Sequence, residues 1–228
     1  MFTLGIDTAT RVGSIGIVED GKPLAEITLN IDVTHSERLL SSIDFLLKSL
    51  KLEIKDIDLV AYAKGPGSFT GLRIGLSTVK GIIFSTGKKM VGVSSLEILG
   101  MNLYETKYPI CPMMDARKNE IYSAIYEFDA KGKLKVFKRE SAISPDDLIK
   151  SIKKKTIFFG DGARLYHDLI KKRLKSKAIF APIEFDNARG INVALLGLTK
   201  FKRGIVDDLE SAVPNYLRKS EAEIHFKG

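Results

Sequence analysis

The sequence predicts an α/β protein of duplicated architecture, in which two halves follow the same plan. The first observation is an opening meander of three predicted strands, at residues 2–6, 13–18 and 24–31. The second is a further run of three predicted strands, at residues 110–114, 121–128 and 133–139. The third is that each meander is followed by segments with a helical pattern. The sequence contains no residue-level repeat, so the predicted duplication concerns the architecture alone.

A capping box begins the first long helix. Thr34 is followed three residues later by Glu37, a pairing that satisfies backbone N–H groups at a helix start and predicts a helix at residues 34–50. The apolar residues of this helix follow helical spacing and form one stripe, which comprises Leu39, Leu40, Ile43, Leu46, Leu47 and Leu50. We expect this stripe to pack on the sheet.

A second long helix follows a buried strand. The apolar run at 57–63 predicts that strand, and a helical pattern at 70–86 comes after it. Its expected inner face consists of Leu72, Leu76, Val79 and Ile83. The other predicted elements are strands at 91–93 and 156–159 and helices at 94–103, 145–151, 163–174 and 191–203.

Both long helices have outer faces of small and nearly uncharged residues. A solvated helix face usually carries more charge, so these faces predict contact with another helix. The predicted partner-interface residues are Arg38, Ser41, Ser42, Phe45 and Ser49 on the first helix, and Ile74, Ser77, Thr78, Gly81 and Ser85 on the second. The alternative is that the second half of the chain covers these faces itself.

A glycine-rich corner joins the buried strand to the second helix. It reads Gly-Pro-Gly-Ser-Phe-Thr-Gly-Leu-Arg-Ile-Gly over residues 65–75. Glycines at 65 and 67 can take positive φ, and Ser68 or Thr70 can cap the helix. Such a corner suits an anion, although no Lys-Ser/Thr follows as in a Walker A loop. The alternative is a tight turn whose glycines let the helix pack closely on the sheet.

The turn after the first strand carries a second candidate group. In actin-like and sugar-kinase ATPases, an aspartate in this turn holds nucleotide phosphates and magnesium. The residues that could form a vestigial phosphate-binding site are Asp7, Thr8, Gly65, Gly67, Ser68, Thr70 and Gly71. The alternative is that Asp7 only caps its own turn.

The charge of the chain is concentrated in its middle. The formal net charge is +8, and residues 129–177 alone hold 12 Lys and 3 Arg against 6 acidic residues. This segment predicts a contact with nucleic acid, and the alternative is a lysine-rich solvated surface. The segment has little aromatic interleaving, so stacking on a single strand is not indicated.

Several classes of protein are excluded by composition. No apolar run is long enough to span a bilayer, and the N-terminus has no secretory signal pattern. The only cysteine, Cys111, fits a reducing cytosol, so we expect a cytoplasmic protein without a membrane partner. The three histidines form no local metal-binding pair, and we expect neither a metal nor another cofactor.

The glycine corner is similar to the signature of the bacterial TsaB family. Shorter matches to that family run along the whole chain. They are Ile6-Asp7-Thr8, His35-Ser36-Glu37, Val93-Ser94-Ser95-Leu96, Asp115-Ala116-Arg117, Gly160-Asp161-Gly162-Ala163 and Pro214-Asn215-Tyr216-Leu217-Arg218. The long signature is specific, whereas each short match is weak alone.

The resemblance implies an actin-like, ribonuclease-H-like fold of two lobes, which we expect at residues 1–105 and 106–228, with the last helix packing back on the first lobe. It implies a role in making threonylcarbamoyladenosine in tRNA. The paralogue TsaD carries out the transfer on a metal held by two histidines and an aspartate, and this sequence lacks the histidine pair. The resemblance therefore implies a non-catalytic scaffold for a TsaD-like paralogue.

The same resemblance implies further partners. A TsaE-like ATPase joins the complex, tRNA is held indirectly within it through the basic segment, and the isolated chain forms a homodimer. Two other functions stay open from the sequence. One is an ATP-dependent phosphotransferase of the sugar-kinase type that uses Asp7 and the glycine corner. The other is a protease, as in older descriptions of the family, although no Ser-His-Asp grouping can be assembled.

Overall fold

The computed structural model of the chain describes residues 1–31, 34–104, 106–130 and 132–218. They form two compact units. The first comprises Met1–Ile98 and Ala188–Tyr216, and the second comprises Leu99–Asn187 with residues 217–218. One five-stranded sheet belongs to each unit.

The first sheet combines an antiparallel meander with two parallel strands. In chain order its strands are β1 (Phe2–Asp7), β2 (Gly13–Glu19), β3 (Lys22–Leu29), β4 (Ile57–Gly65) and β5 (Lys89–Ser94). Their order across the sheet is β3-β2-β1-β4-β5. The first three pair in antiparallel fashion, and β4 lies parallel to β1 and β5. The predicted opening meander is confirmed.

Helices lie on both faces of this sheet. On one face, α1 (His35–Ser49) and α2 (Phe69–Thr86) share a core with side chains such as Leu4 of β1. The next residue of β1, Gly5, points to the opposite face because side chains alternate along a strand. There it lies against helix α7 (Gly190–Phe201). The sheet of the first unit is therefore covered on two sides.

The second sheet repeats the topology of the first. Its strands are β6 (Ile110–Arg117), β7 (Glu120–Phe128), β8 (Leu134–Ile143), β9 (Thr156–Phe159) and β10 (Ala178–Phe180). Their order is β10-β9-β6-β7-β8, with an antiparallel meander from β6 to β8 and with β9 parallel to β6 and β10. Because both sheets place their strands in the same order, the predicted duplication of the architecture is confirmed.

Shorter helices complete the chain. They are α3 (Ser95–Gly100), α4 (Pro145–Ser151), α5 (Asp161–Leu165) and α6 (His167–Leu174), with 3-10 turns at Ile54–Asp56, Lys175–Lys177 and Ile183–Phe185. In the second unit, Phe158 and Ile170 belong to one buried core. Ser144 caps α4, since its Oγ accepts from the N–H of Asp147 at 3.1 Å.

Some predicted boundaries are wrong. The helix expected at 163–174 is two helices, because Tyr166 leaves the helical region with φ −107° and ψ 18°. The helix expected at 94–103 ends at Gly100. Strand β10 was not predicted, because three residues are too few to show a period. Leu40, assigned to the inner stripe of α1, is 61% exposed.

The segment after α7 stays with the first unit. The hydroxyl of Tyr62 and the backbone N–H of Gly92 both donate to Asp207 Oδ2, each at 2.7 Å. Further along, the N–H of Asn215 donates to the carbonyl of Lys64 at 2.6 Å. Residues 188–216, which include the last helix, thus belong to the first unit, and the first segment of that unit ends at Ile98, where the predicted lobe ended at residue 105.

Candidate functional site

The glycine corner is hydrogen-bonded to the turn after β1. Ser68 donates its backbone N–H to the carbonyl of Ala9 at 2.7 Å. Thr8 donates its Oγ1 hydroxyl to the carbonyl of Gly71 at 2.8 Å. Ser68 also caps α2, because its Oγ accepts from the N–H of Gly71 at 3.2 Å. Ser68, and not Thr70, therefore provides the predicted cap. The backbone N–H groups of Ser68 and Gly71 are both hydrogen-bonded within the chain.

The glycines of the corner permit a close approach of backbone to backbone. A Cβ atom at Gly67 would lie 2.5 Å from the carbonyl oxygen of Ala9, and one at Gly71 would clash with the carbonyl oxygen of Thr8. Gly65 has φ +113°, but Gly67 is not in the positive-φ region, so that part of the prediction is wrong. This geometry supports the alternative that the glycines of the corner serve close packing of the helix.

Gly71→Ala is expected to destabilise the fold. The added methyl group would force α2 away from the turn after β1, and overpacking of this kind costs about 1–3 kcal/mol. We expect the melting temperature to fall by several degrees, measured by circular dichroism. Gly81→Ala is the matched control, since a Cβ at Gly81 on the same helix would meet no atom within 4 Å. Equal melting temperatures for the two variants would contradict the packing role.

Asp7 is buried at the end of β1 without full hydrogen bonding. Its side chain is 1% exposed. Oδ1 accepts from the N–H of Ala9 at 3.5 Å, and Oδ2 has no hydrogen-bond partner among the described residues. Burial raises the pKa of this carboxyl to about 7, against a weaker lowering by the Ala9 N–H. Asp7 is therefore about half protonated at pH 7, and its carboxyl is closed to solvent.

The start of α1 is tied to the same turn through His35 and Arg38. His35 Nε2 donates to the carbonyl of Thr10 at 2.7 Å, because Nδ1 accepts from Arg38 at 3.1 Å. Arg38 also donates to the carbonyl of Arg11 at 2.9 Å. Burial, with a smaller contribution from the Arg38 charge, lowers the pKa of His35. Arg38 is thus buried among groups of its own chain, and it cannot serve the predicted interface without leaving them.

The outer faces of α1 and α2 are open in the first unit. Of the predicted interface residues, six are exposed: Ser41, Phe45, Ser49, Ser77, Gly81 and Ser85. Ser42, Ile74 and Thr78 are half-buried. The two helices contact each other, so these residues belong to neighbouring parts of one surface. Their role at an interface stays a prediction.

The sequence analysis missed one apolar residue of this surface. Phe84 on α2 is 84% exposed. A signal for Phe84 was present, because it follows Ser77 by seven residues and Gly81 by three, which places it on the same stripe. With Phe45, which is 64% exposed, the surface holds two large apolar side chains. We name these two residues with Gly81 and the exposed serines the α1–α2 face.

The described residues contain no metal-binding cluster and no membrane-spanning helix. Outside the gaps at 32–33, 105, 131 and 219–228, no three His, Cys, Asp or Glu side chains group closely enough to hold a metal ion. Within the same ranges, no helix combines the length and apolar character needed to cross a bilayer.

Comparison with known proteins identifies the family. The family described as "TsaD: tRNA N6-adenosine threonylcarbamoyltransferase" matches residues 24–226. The tRNA threonylcarbamoyladenosine biosynthesis protein TsaB of Bacillus subtilis is 30% identical over 226 residues, which cover 98% of this chain and 96% of that protein. The chain belongs to the TsaB family. The resemblance seen in the glycine signature is confirmed.

Solved structures agree with this assignment. YeaZ from Pseudomonas aeruginosa has a TM-score of 0.82 at 25% identity, covering 95% of this chain and 99% of that chain. The ADPNP-bound activator of 2-hydroxyisocaproyl-CoA dehydratase from Clostridium difficile has a TM-score of 0.51 at 12% identity, covering 90% and 97%. This second similarity shows the fold alone. The expected actin-like, ribonuclease-H-like fold class is confirmed for this TsaB-family chain.

Proposed function

We propose that the chain is a non-catalytic subunit of the machinery that makes threonylcarbamoyladenosine in tRNA. In this role it binds and supports a TsaD-like paralogue, which carries out the transfer. Membership of the TsaB family supports the pathway, since the Bacillus subtilis relative is named for that biosynthesis. The α1–α2 face supports the binding role.

The observation that carries the proposal is the exposure of large apolar side chains beside small ones on two neighbouring helices. Phe45 and Phe84 are mostly exposed, and exposed large apolar side chains on neighbouring helices are typical of interaction sites. Gly81 leaves open space above its own helix. Small residues let a second helix approach closely, and aromatic side chains act as anchors at protein interfaces.

The expected geometry is a four-helix bundle. The paralogue shares the family profile, so its own first two long helices would pair with α1 and α2 across a pseudo-two-fold axis. Without the paralogue, the same face would pair with a second copy, which accounts for the expected homodimer. A TsaE-like ATPase and tRNA join the assembled complex.

The phosphotransferase alternative has less support. A kinase of the sugar-kinase type needs an accessible carboxylate in the turn after β1, and Asp7 is almost entirely buried. The glycine corner uses the N–H groups of Ser68 and Gly71 within the chain. We therefore expect the isolated protein to bind ATP weakly or not at all.

Purified chain mixed with the cognate TsaD-like paralogue tests the proposal. We expect sedimentation velocity to show a heterodimer, and we expect the chain alone to show no ATP turnover. Tight, magnesium-dependent ATP binding by the isolated chain in calorimetry, together with failure to form the heterodimer, would favour the phosphotransferase instead.

A further inference from the structure

Four strands of the second sheet begin at the same end of that sheet. β6, β9 and β10 are parallel, so their first residues lie at one end of the sheet. β8 also starts there, because it is antiparallel to β7, which is antiparallel to β6. Whatever precedes these strands in the chain is therefore brought together, although the segments are far apart in sequence.

Lysines precede all four of these strands. Those that the structure places there are Lys107 before β6, Lys133 before β8, Lys153, Lys154 and Lys155 before β9, and Lys175 and Lys177 before β10. All seven are exposed. We name this set the lysine rim. Neighbouring strands are about 4.8 Å apart, so the rim extends over about 19 Å from β8 to β10.

Aromatic rings lie among these lysines. Phe137 of β8 is 60% exposed, and Lys154 Nζ is 5.4 Å from the centre of its ring. Tyr108 has Lys107 Nζ at 5.1 Å and Lys155 Nζ at 5.2 Å from its ring centre. The sequence-based expectation that basic and aromatic residues do not interleave is therefore wrong at this end of the sheet.

Acidic residues neutralise only part of the rim. Lys154 pairs with Glu127 at 3.2 Å, and Lys135 beside the rim pairs with Asp129 at 3.3 Å. Lys155 stacks on Tyr108 and Lys153 donates to the carbonyl of Lys150 at 3.2 Å, contacts that leave both charges available. A row of positive charge about 19 Å long suits an extended polyanion better than a single phosphate group.

We propose that the lysine rim binds the RNA backbone directly and that Phe137 stacks on an unpaired base. Lysines that track phosphates, next to an exposed aromatic ring, are the usual parts of a surface for single-stranded nucleic acid. The choice of RNA over other polyanions rests on the proposed function in tRNA modification. The contact is a property of the second unit by itself and does not require the α1–α2 face.

The test titrates a fluorescein-labelled tRNA with the full-length chain. The tRNA is one that reads codons beginning with A. Fluorescence anisotropy is followed at potassium chloride concentrations from about 50 to about 200 mM, since each phosphate contact contributes about 0.7–0.9 to the logarithmic salt slope. The triple substitution Lys153→Glu, Lys154→Glu, Lys155→Glu should reduce that slope by about 2 and weaken binding by about tenfold or more. The control reverses Lys22, Lys202 and Arg203, three exposed residues of the first unit.

The stacking contact has its own matched pair of variants. Phe137→Ala should weaken tRNA binding by about fivefold or more, without a change in salt slope, because stacking does not release counterions. Val136→Ala should leave binding unchanged. Val136 is 61% exposed and next to Phe137, but it has no aromatic ring on which a base could stack.

Three outcomes would overturn the inference. They are a wild-type chain without salt-dependent tRNA binding, a triple variant whose slope equals that of the control, and a triple variant that loses binding to phosphatidylglycerol vesicles but not to tRNA. Sedimentation of each variant with the TsaD-like paralogue separates this inference from the proposed function. We expect the triple variant to keep the heterodimer. If the wild-type chain forms no heterodimer, that result contradicts the proposed function and does not contradict RNA binding by the lysine rim.

Discussion

Gly81→Glu is expected to abolish the heterodimer with the TsaD-like paralogue while leaving the fold intact. In the bundle that we propose, the new carboxylate would be buried without a partner, which costs about 3–5 kcal/mol and corresponds to at least about 100-fold weaker association. In the isolated chain, Gly81 is exposed and a Cβ there meets no atom within 4 Å. Glutamate is a better helix former than glycine by up to about 1 kcal/mol, so the melting temperature should stay the same or rise.

Sedimentation velocity with and without the paralogue measures this effect. Lys22→Glu is the control, because it places a carboxylate on β3, at an exposed position away from the α1–α2 face. If the Gly81→Glu variant keeps both the heterodimer and any self-association of the wild type, the α1–α2 face is not the interface. Loss of the complex together with a lower melting temperature would show a folding defect instead.

Asp7→Asn is expected to make the protein more stable above pH 7 and to remove a pH dependence. The pKa of Asp7 is raised to about 7 in the folded state, so the folded chain holds the proton more tightly than the unfolded chain. The stabilisation is complete below about pH 4 and is lost as the pH rises towards 7, a change of about 4 kcal/mol at most. Asparagine has nearly the same shape and cannot ionise, so the variant should lack this loss.

Urea unfolding of wild type and variant between pH 4 and pH 8 measures this effect. The difference between the two curves isolates Asp7. His35 has a lowered pKa, so its contribution runs the other way, rising with pH, and it cancels in the difference. Glu19→Gln, at an exposed carboxyl of β2, is the control for loss of one acid. A variant less stable than wild type at pH 8 would show that the Asp7 carboxylate is needed in the folded state.

The sequence predicted those features that depend on local pattern. The two meanders and a cap at Ser68 or Thr70 follow from residue type and short-range period, and the structure has the meanders and a cap at Ser68. The glycine signature indicated the family, but two physical explanations of it stayed open. Only the structure shows that the carbonyl of Thr8 lies where a Cβ of Gly71 would be.

Features that depend on packing between distant segments could not be predicted. The wide apolar stripe of α1 did not show that Leu40 lies beyond the contact with the sheet, where it stays exposed. Arg38 looked like a surface residue by periodicity, but carbonyl groups of the turn after β1 bind it. The basic segment could be recognised from the composition of the sequence. The lysine rim could not, because it depends on the strand order that brings the starts of four strands to one end of the sheet.

The most direct test of the central claim is the rate of threonylcarbamoyladenosine formation on tRNA by the TsaD-like paralogue and the TsaE-like ATPase, with and without this chain. We expect modification to require the wild-type chain, to be lost with Gly81→Glu and to persist with Asp7→Asn. Equal rates in the presence and absence of the chain would contradict the claim that it is a supporting subunit of this machinery.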